Sequence, residues 1–153
     1  MPVPQVVVVD CSVSGPWFLR DEARPETVEL LRDIMHGKLE FLAPDLWWYE
    51  TINLLRSAIR QRRMESATAR AALQFGRDIP RRFVTARELA DGEILGLACE
   101  HGLTAYDATY LAVAMQTGAT LLTADKELLS LHRHFPFVMT CEKHHAMRHA
   151  QAP

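Results

Sequence analysis

The stretch Val6-Val7-Val8-Val9-Asp10-Cys11-Ser12 decides the fold. Four consecutive β-branched residues leave no polar face, so the segment is not an amphipathic helix. It reads as a strand buried on both faces, the pattern of a central strand in a parallel sheet. A carboxylate follows at once. In open parallel α/β sheets, ligands bind in the crevice beyond the carboxyl ends of the strands. Asp10 therefore stands where such a fold does its chemistry. Aspartate is also a favoured N-cap, and taken alone the residue fits either role equally.

Outward from this strand, helical and extended patterns alternate. Pro25 and Glu26 open a helix with apolar positions Val28, Leu31, Ile34 and Met35, which Gly37 closes. Leu39 to Ala43 is a second strand. Pro44 starts a long helix to about Arg63, with Trp48, Ile52, Leu55 and Ile59 as its stripe toward the core. Ser66 caps a helix ending near Asp78, and Arg82-Phe83-Val84 is a third strand. Thr85-x-x-Glu88 is a capping box opening a helix that Gly102 stops. Thr104 caps a helix from Ala105 to about Gln116, stopped by Gly118. Thr120-Leu121-Leu122-Thr123 is a buried strand. Ala124-Asp125, a short helix from Lys126 to Leu131, and the strand Phe137-Val138-Met139 follow.

This alternation predicts one α/β domain over residues 1–141, a three-layer α/β/α sandwich with a mostly parallel central sheet of about five strands. Residues 142–153, with His144, His145 and His149, show no apolar pattern and are expected to form a flexible tail.

At 153 residues, 48% hydrophobic and 24% charged, the chain is a globular domain rather than a disordered one. A net charge of -2 provides no global attraction to nucleic acid, so any such contact needs a local basic patch. Cys11, Cys99 and Cys141 are odd in number and far apart. They read as reduced, mostly buried thiols rather than a disulfide framework or zinc knuckle. Val6 to Val9 is too short for a signal peptide or a membrane span, and the expected location is the cytoplasm.

Three further acids stand in places that call for explanation. Glu50 lies one turn into the long helix beside Trp47, Trp48 and Tyr49. Asp107 is in the first turn of its helix, where Thr104-x-x-Asp107 also resembles a capping box. Asp125 follows a buried strand and precedes a helix, so it too fits an N-cap. Strand carboxyl ends and helix N-termini share one edge of a parallel sheet, so Asp10, Glu50, Asp107 and Asp125 point toward one rim. Two carboxylates about 4 Å apart repel by roughly 4 kcal/mol at an effective dielectric near 20. Four together must take up protons or bind a cation. A hard divalent ion suits them, since magnesium prefers carboxylate oxygens. Such an ion activates water and clamps a phosphate for in-line displacement. Ser12, Asn53 and Thr123 are candidates to hold the carboxylates or their waters, although each alone is more simply a local backbone partner.

These residues together resemble the PIN-domain family, in particular the VapC-type toxins of toxin–antitoxin pairs. The matching stretches are Val8-Val9-Asp10-Cys11-Ser12 with Trp17-Phe18, then Ala43-Pro44-Asp45-Leu46-Trp47 leading to Glu50-x-x-Asn53. Gly102-Leu103-Thr104-x-Tyr106-Asp107-Ala108-x-Tyr110-Leu111-Ala112 and Gly118-Ala119-x-Leu121-Leu122-Thr123-x-Asp125 follow in family order. The resemblance implies a PIN fold and a Mg2+- or Mn2+-dependent endoribonuclease with Asp10, Glu50, Asp107 and Asp125 as catalytic metal ligands. It also implies an RNA substrate, an inhibitory antitoxin protein as partner, and a homodimer.

Arg56, Arg60 and Arg63 fall at i, i+4 and i+7, a basic stripe on the helix that carries Glu50. With Arg62 it fits contact with an RNA backbone and equally a solvated face; docking of an antitoxin or second subunit is a third reading. Trp17 and Phe18 read as core. Asp21, Glu22, Asp45 and Asp91 read as surface or capping acids. His132, His134 and the tail histidines lack metal-ligand spacing on a defined element and receive no role. Two other functions compete. A PIN-like binding module without catalysis is disfavoured by the intact acids. A nucleotide-binding or phospho-accepting domain using Asp10 would need a glycine-rich loop, and only Gly15 follows the strand.

Overall fold

The structure, a computed structural model, describes residues 5–85 and 87–150. Among these residues, five strands form one sheet: β1 (Gln5–Val9), β2 (Leu39–Pro44), β3 (Arg82–Val84), β4 (Thr120–Leu122) and β5 (Val138–Met139). Their order is β3-β2-β1-β4-β5 and every pairing is parallel. The valine run sits at the centre, with Val7, Val8 and Val9 fully buried between β2 and β4.

Among the described residues, eight α-helices cover the sheet: α1 (Cys11–Ser14), α2 (Pro25–Met35), α3 (Leu46–Arg60), α4 (Ser66–Asp78), α5 (Asp91–His101), α6 (Ala105–Thr117), α7 (Lys126–Ser130) and α8 (Cys141–Ala150). The chain winds outward from β1 through β2 to β3, then returns to β4 and continues to β5. Right-handed crossovers put the helices that connect the strands of these two halves on opposite faces of the sheet. On one face, Trp47 of α3 and Trp17 pack edge-on against Phe41 of β2, and Trp17 Nε1 donates to the Thr27 carbonyl of α2 at 2.8 Å. On the other, α6 lies along β1, β2 and β4. The α/β/α layering and the parallel sheet expected from the sequence are thus present. Gly102 and Gly118 end α5 and α6 in the left-handed region (φ +66° and +65°), which lets both helices stop sharply.

Several local expectations are corrected. Pro44 belongs to β2, and the long helix spans Leu46–Arg60. Its buried side is Trp47, Thr51, Leu55 and Ala58; Ile52 and Ile59 are exposed and Trp48 is half-buried. Trp47 decides this rotation. Its indole fills the space among Phe18, Phe41 and Phe83, and its Nε1 donates to Ser14 Oγ at 2.9 Å. Thr51 accepts burial because its hydroxyl donates to the Trp47 carbonyl at 2.9 Å. On α2 the buried side is Thr27, Leu30, Asp33 and Ile34, while Val28 and Met35 are exposed. Glu88 does receive hydrogen bonds from the Thr85 amide and hydroxyl, at 2.7 and 3.0 Å, but the helix starts only at Asp91. Cys11 is half-buried, Cys99 exposed and Cys141 buried.

The expected loose tail is also corrected. Through Ala150 it is helix α8, packed on α2, with Cys141 and His144 buried. Polar anchors hold it: Arg148 reaches Asp33 at 2.7 Å, and His145 and His149 reach Glu29. Residues 151–153 lie outside the described part of the chain.

Because Trp47 is fully buried with its N–H satisfied, Trp47→Ala is expected to cost about 3–5 kcal/mol. Urea unfolding of the two proteins measures this; a loss below about 1 kcal/mol would show that the α3 contact with the sheet is not a principal source of stability.

Candidate active site

The sheet reverses its direction of winding between β1 and β4, and at that switch point helices leave on opposite sides. The Asp10 amide donates to the Leu122 carbonyl at 3.1 Å, the last rung joining the two strands. Beyond it the chain turns into α1 and, after β4, into α7.

Asp10 is buried at 7% exposure. One carboxylate oxygen accepts the Ser12 amide, so the capping role is present; the other accepts the Thr123 hydroxyl. Thr123 Oγ1 in turn accepts the Asp125 amide at 2.9 Å, and Ser12 Oγ accepts the Ala124 amide at 2.8 Å. These bonds fasten the two strand ends together around Asp10. Asp125 caps α7, its Oδ1 accepting the amides of Glu127 and Leu128 at 2.8 and 3.0 Å. Asp107 Oδ2 accepts the Thr104 hydroxyl at 2.6 Å, while its own amide donates back to Thr104 Oγ1 at 3.2 Å. Glu50 accepts a hydrogen bond from the Tyr110 hydroxyl.

Electrostatics link the four acids. Burial pushes the Asp10 carboxyl above its ordinary range, against the bonds from Thr123 and Ser12, and the charge of Asp125 adds to the rise. Burial likewise raises Glu50, with the charges of Asp10 and Asp107 adding to it and the Tyr110 bond opposing it. Cys11, beside Glu50 and Asp10, has its thiol pushed up to about 12 by burial first and those charges second, so it is no nucleophile at neutral pH. Among the described residues, no lysine, arginine or histidine forms an ion pair with any of the four.

Of the supporting residues, Ser12 and Thr123 hold the strand ends as described. Asn53 is exposed on α3 and makes no side-chain hydrogen bond among the described residues. The basic stripe is shorter than expected. Arg56 and Arg60 are exposed on α3, but the helix ends at Arg60 and Arg62 adopts φ +57°. Arg63 therefore leaves the helical register and pairs with Asp21 and Glu22, both at 2.6 Å. Tyr110 was not singled out in the sequence as a site residue. Its signal is Asp107-x-x-Tyr110, a spacing that places both side chains on neighbouring positions of α6.

The PIN domain family matches residues 7–133, and the chain belongs to that family. Over 38 residues it is 53% identical to Exonuclease VapC9 of Pyrobaculum aerophilum, a stretch covering 25% of this chain and 29% of that protein. Its fold is similar to the crystal structure of PAE2754 from the same organism, with a TM-score of 0.70 and 27% identity over 96% of this chain and 97% of the other. It is also similar to a chain of a toxin–antitoxin complex from Klebsiella pneumoniae, with a TM-score of 0.59 and 18% identity over 88% of this chain and 97% of that one. The last likeness is one of fold.

The raised Asp10 pKa has a consequence for stability. A carboxyl whose folded pKa lies above its unfolded value near 3.9 contributes most below that value, and the contribution is lost as pH rises through the folded pKa. Asp10→Asn removes this loss. In EDTA the variant is expected to melt higher than the parent at pH 7, with the gap narrowing toward pH 4. Thermal unfolding across that range checks it, and a gap independent of pH would contradict the assignment.

Proposed function

We propose that this PIN-domain protein is a metal-dependent endoribonuclease of the cytoplasm, the toxin of a type II toxin–antitoxin pair. The family and the stretch shared with VapC9 support a nuclease. The observation that carries the metal is a contrast between two buried aspartates. Asp33, at 3% exposure, is paired with Lys38 at 3.2 Å and Arg148 at 2.7 Å. Asp10, nearly as buried, has hydrogen-bond donors and three acidic neighbours in its electrostatic chain but no cation. An all-oxygen set of carboxylates fits a hard ion, Mg2+ or Mn2+.

Asp10, Glu50, Asp107 and Asp125 would hold that ion. When bound, it supplies an acidified water and positive charge at the scissile phosphate. The protein's own part is positioning. Ser12 and Thr123 fix both oxygens of Asp10, so its orientation is set before substrate arrives. Tyr110 does the same for Glu50, and Thr104 for Asp107. Arg56 and Arg60, exposed on the helix that carries Glu50, supply local positive charge for an RNA backbone on a chain of net charge -2. The antitoxin partner is supported by the fold shared with the Klebsiella complex; a homodimer belongs to the same reading.

The deciding assay is RNA cleavage with Mg2+ or Mn2+, with EDTA, and by Asp107→Asn. Cleavage is expected with either metal and in neither of the other two cases. Asparagine keeps an oxygen that can accept the Thr104 hydroxyl, and the N-cap Thr104 is untouched, so the variant should keep its melting temperature. Retained turnover would leave Asp107 as the hydrogen-bond partner of the N-cap Thr104 alone, and full activity in EDTA would sink the metal site. A binding module without catalysis predicts RNA retention with no cleavage under any condition.

The stripe has its own test. In an Asp107→Asn background, Arg60→Ala is expected to lower the salt slope of single-stranded RNA binding by about 0.7. Arg63→Ala should leave the slope unchanged, because Asp21 and Glu22 already occupy that guanidinium. Identical slopes for Arg60→Ala and its parent would return the stripe to solvent or to a protein partner.

A further inference from the structure

Helix α8 carries a donor set that the nuclease site does not use. His145 and His149 stand one turn apart, with ring centroids 4.3 Å from each other. Both meet Glu29 of α2. His149 Nε2 lies 2.8 Å from Glu29 Oε1, and His145 Nδ1 lies 3.5 Å from Glu29 Oε2. Each residue brings a ligand atom into a set whose members all lie within 4.8 Å of one another. Donors around a tetrahedral zinc ion with bonds of about 2.0–2.1 Å stand about 3.3 Å apart. The trio is therefore close to a coordinating spacing before any side chain moves.

We infer that Glu29, His145 and His149 form a binding site for one borderline divalent cation of the Zn2+ class, which fastens α8 to α2. Two imidazoles and a carboxylate are the donor mix that zinc takes and magnesium does not. Histidines at i and i+4 share one face of a helix and can close on a single ion. The two elements contribute ligands 120 residues apart in sequence, so binding adds a long-range tie. A fourth position is left to water.

The surrounding charges permit this. Asp33, the acid whose charge acts on Glu29, is already paired with Lys38 and Arg148 and does not compete for the ion. Arg32 approaches Glu29 Oε2 at 3.7 Å from a side chain 59% exposed, so it can swing away. His149 is itself 58% exposed, which gives an ion access from solvent. The site stands on α2 and α8, apart from the switch point between β1 and β4, and does not depend on the nuclease reading. The competing explanation is that protonated histidines form plain ion pairs with Glu29.

The test uses the full chain carrying Asp10→Asn, which weakens metal binding at the switch point. Zinc is titrated by calorimetry, and thermal unfolding is followed with zinc, with magnesium and with EDTA. One equivalent of zinc should bind. At zinc a hundredfold above its Kd, Tm should rise by about 5–10 °C, and the same concentration of magnesium should leave it unchanged. His149→Ala and Glu29→Gln should each weaken zinc binding more than about tenfold and remove the shift. Both side chains lie toward the surface, so the metal-free Tm of each variant reports whether the fold is kept. Failure to bind zinc, or equal zinc binding in the parent and both variants, would overturn the inference and leave ion pairs only.

Discussion

The structure depends on one topological constraint: β1 lies between β2 and β4, and the direction of winding reverses at the β1–β4 boundary. The last rung between those strands is the Asp10 amide on the Leu122 carbonyl. Beyond that rung the two strand ends send their helices to opposite faces, so neither helix covers the gap. A carboxylate immediately after β1 is thereby placed at an edge that packing does not close. Thr123 and Ser12 then bind each strand end to the other. The positions of Glu50 and Asp107 follow from helices that start at the same edge after β2 and α5.

That edge departs from the way the protein treats its other buried aspartate. The protein buries two aspartates and treats them differently. For Asp33, burial works to raise the carboxyl, but Arg148 and Lys38 outweigh it and hold the pKa low. For Asp10 only hydrogen bonds oppose burial, and a neighbouring acid adds to the strain. Uncompensated charge of this kind is where a folded protein departs from its own stability optimum, and such departures concentrate at sites of function.

Much of this was legible in the sequence. The valine run, the capping residue Thr104 and the stops at Gly102 and Gly118 define elements whose local signals agree with the global fold. The rotation of α3 was not legible, because Trp47 and Trp48 start two overlapping stripes. Counting apolar residues favours the frame with Ile52 and Ile59, but the sheet has room for one indole and takes Trp47, leaving Thr51 and Ala58 to pack beneath it. Helix α8 was hidden for a different reason. Its buried residues are Cys141 and His144, and its anchors are charges, so hydrophobic periodicity carries almost no trace of it. The four acids could be grouped from the sequence only because strand carboxyl ends and helix N-termini share one edge of a parallel sheet. Tyr110 escaped because a tyrosine on a buried helix looks like packing until its hydroxyl is seen to reach Glu50.

The strand order also bears on how the chain is made. On the ribosome, β1 can pair with β2 after about forty residues have emerged, but its other edge waits for Thr120–Leu122. Until then the most β-prone segment of the protein presents an unpaired edge, the kind of surface that recruits other chains. The long excursion through α3 to α6 is thus an interval of exposure during synthesis. Its end comes when β4 arrives, and the same event that seals the sheet also brings Thr123 to Asp10.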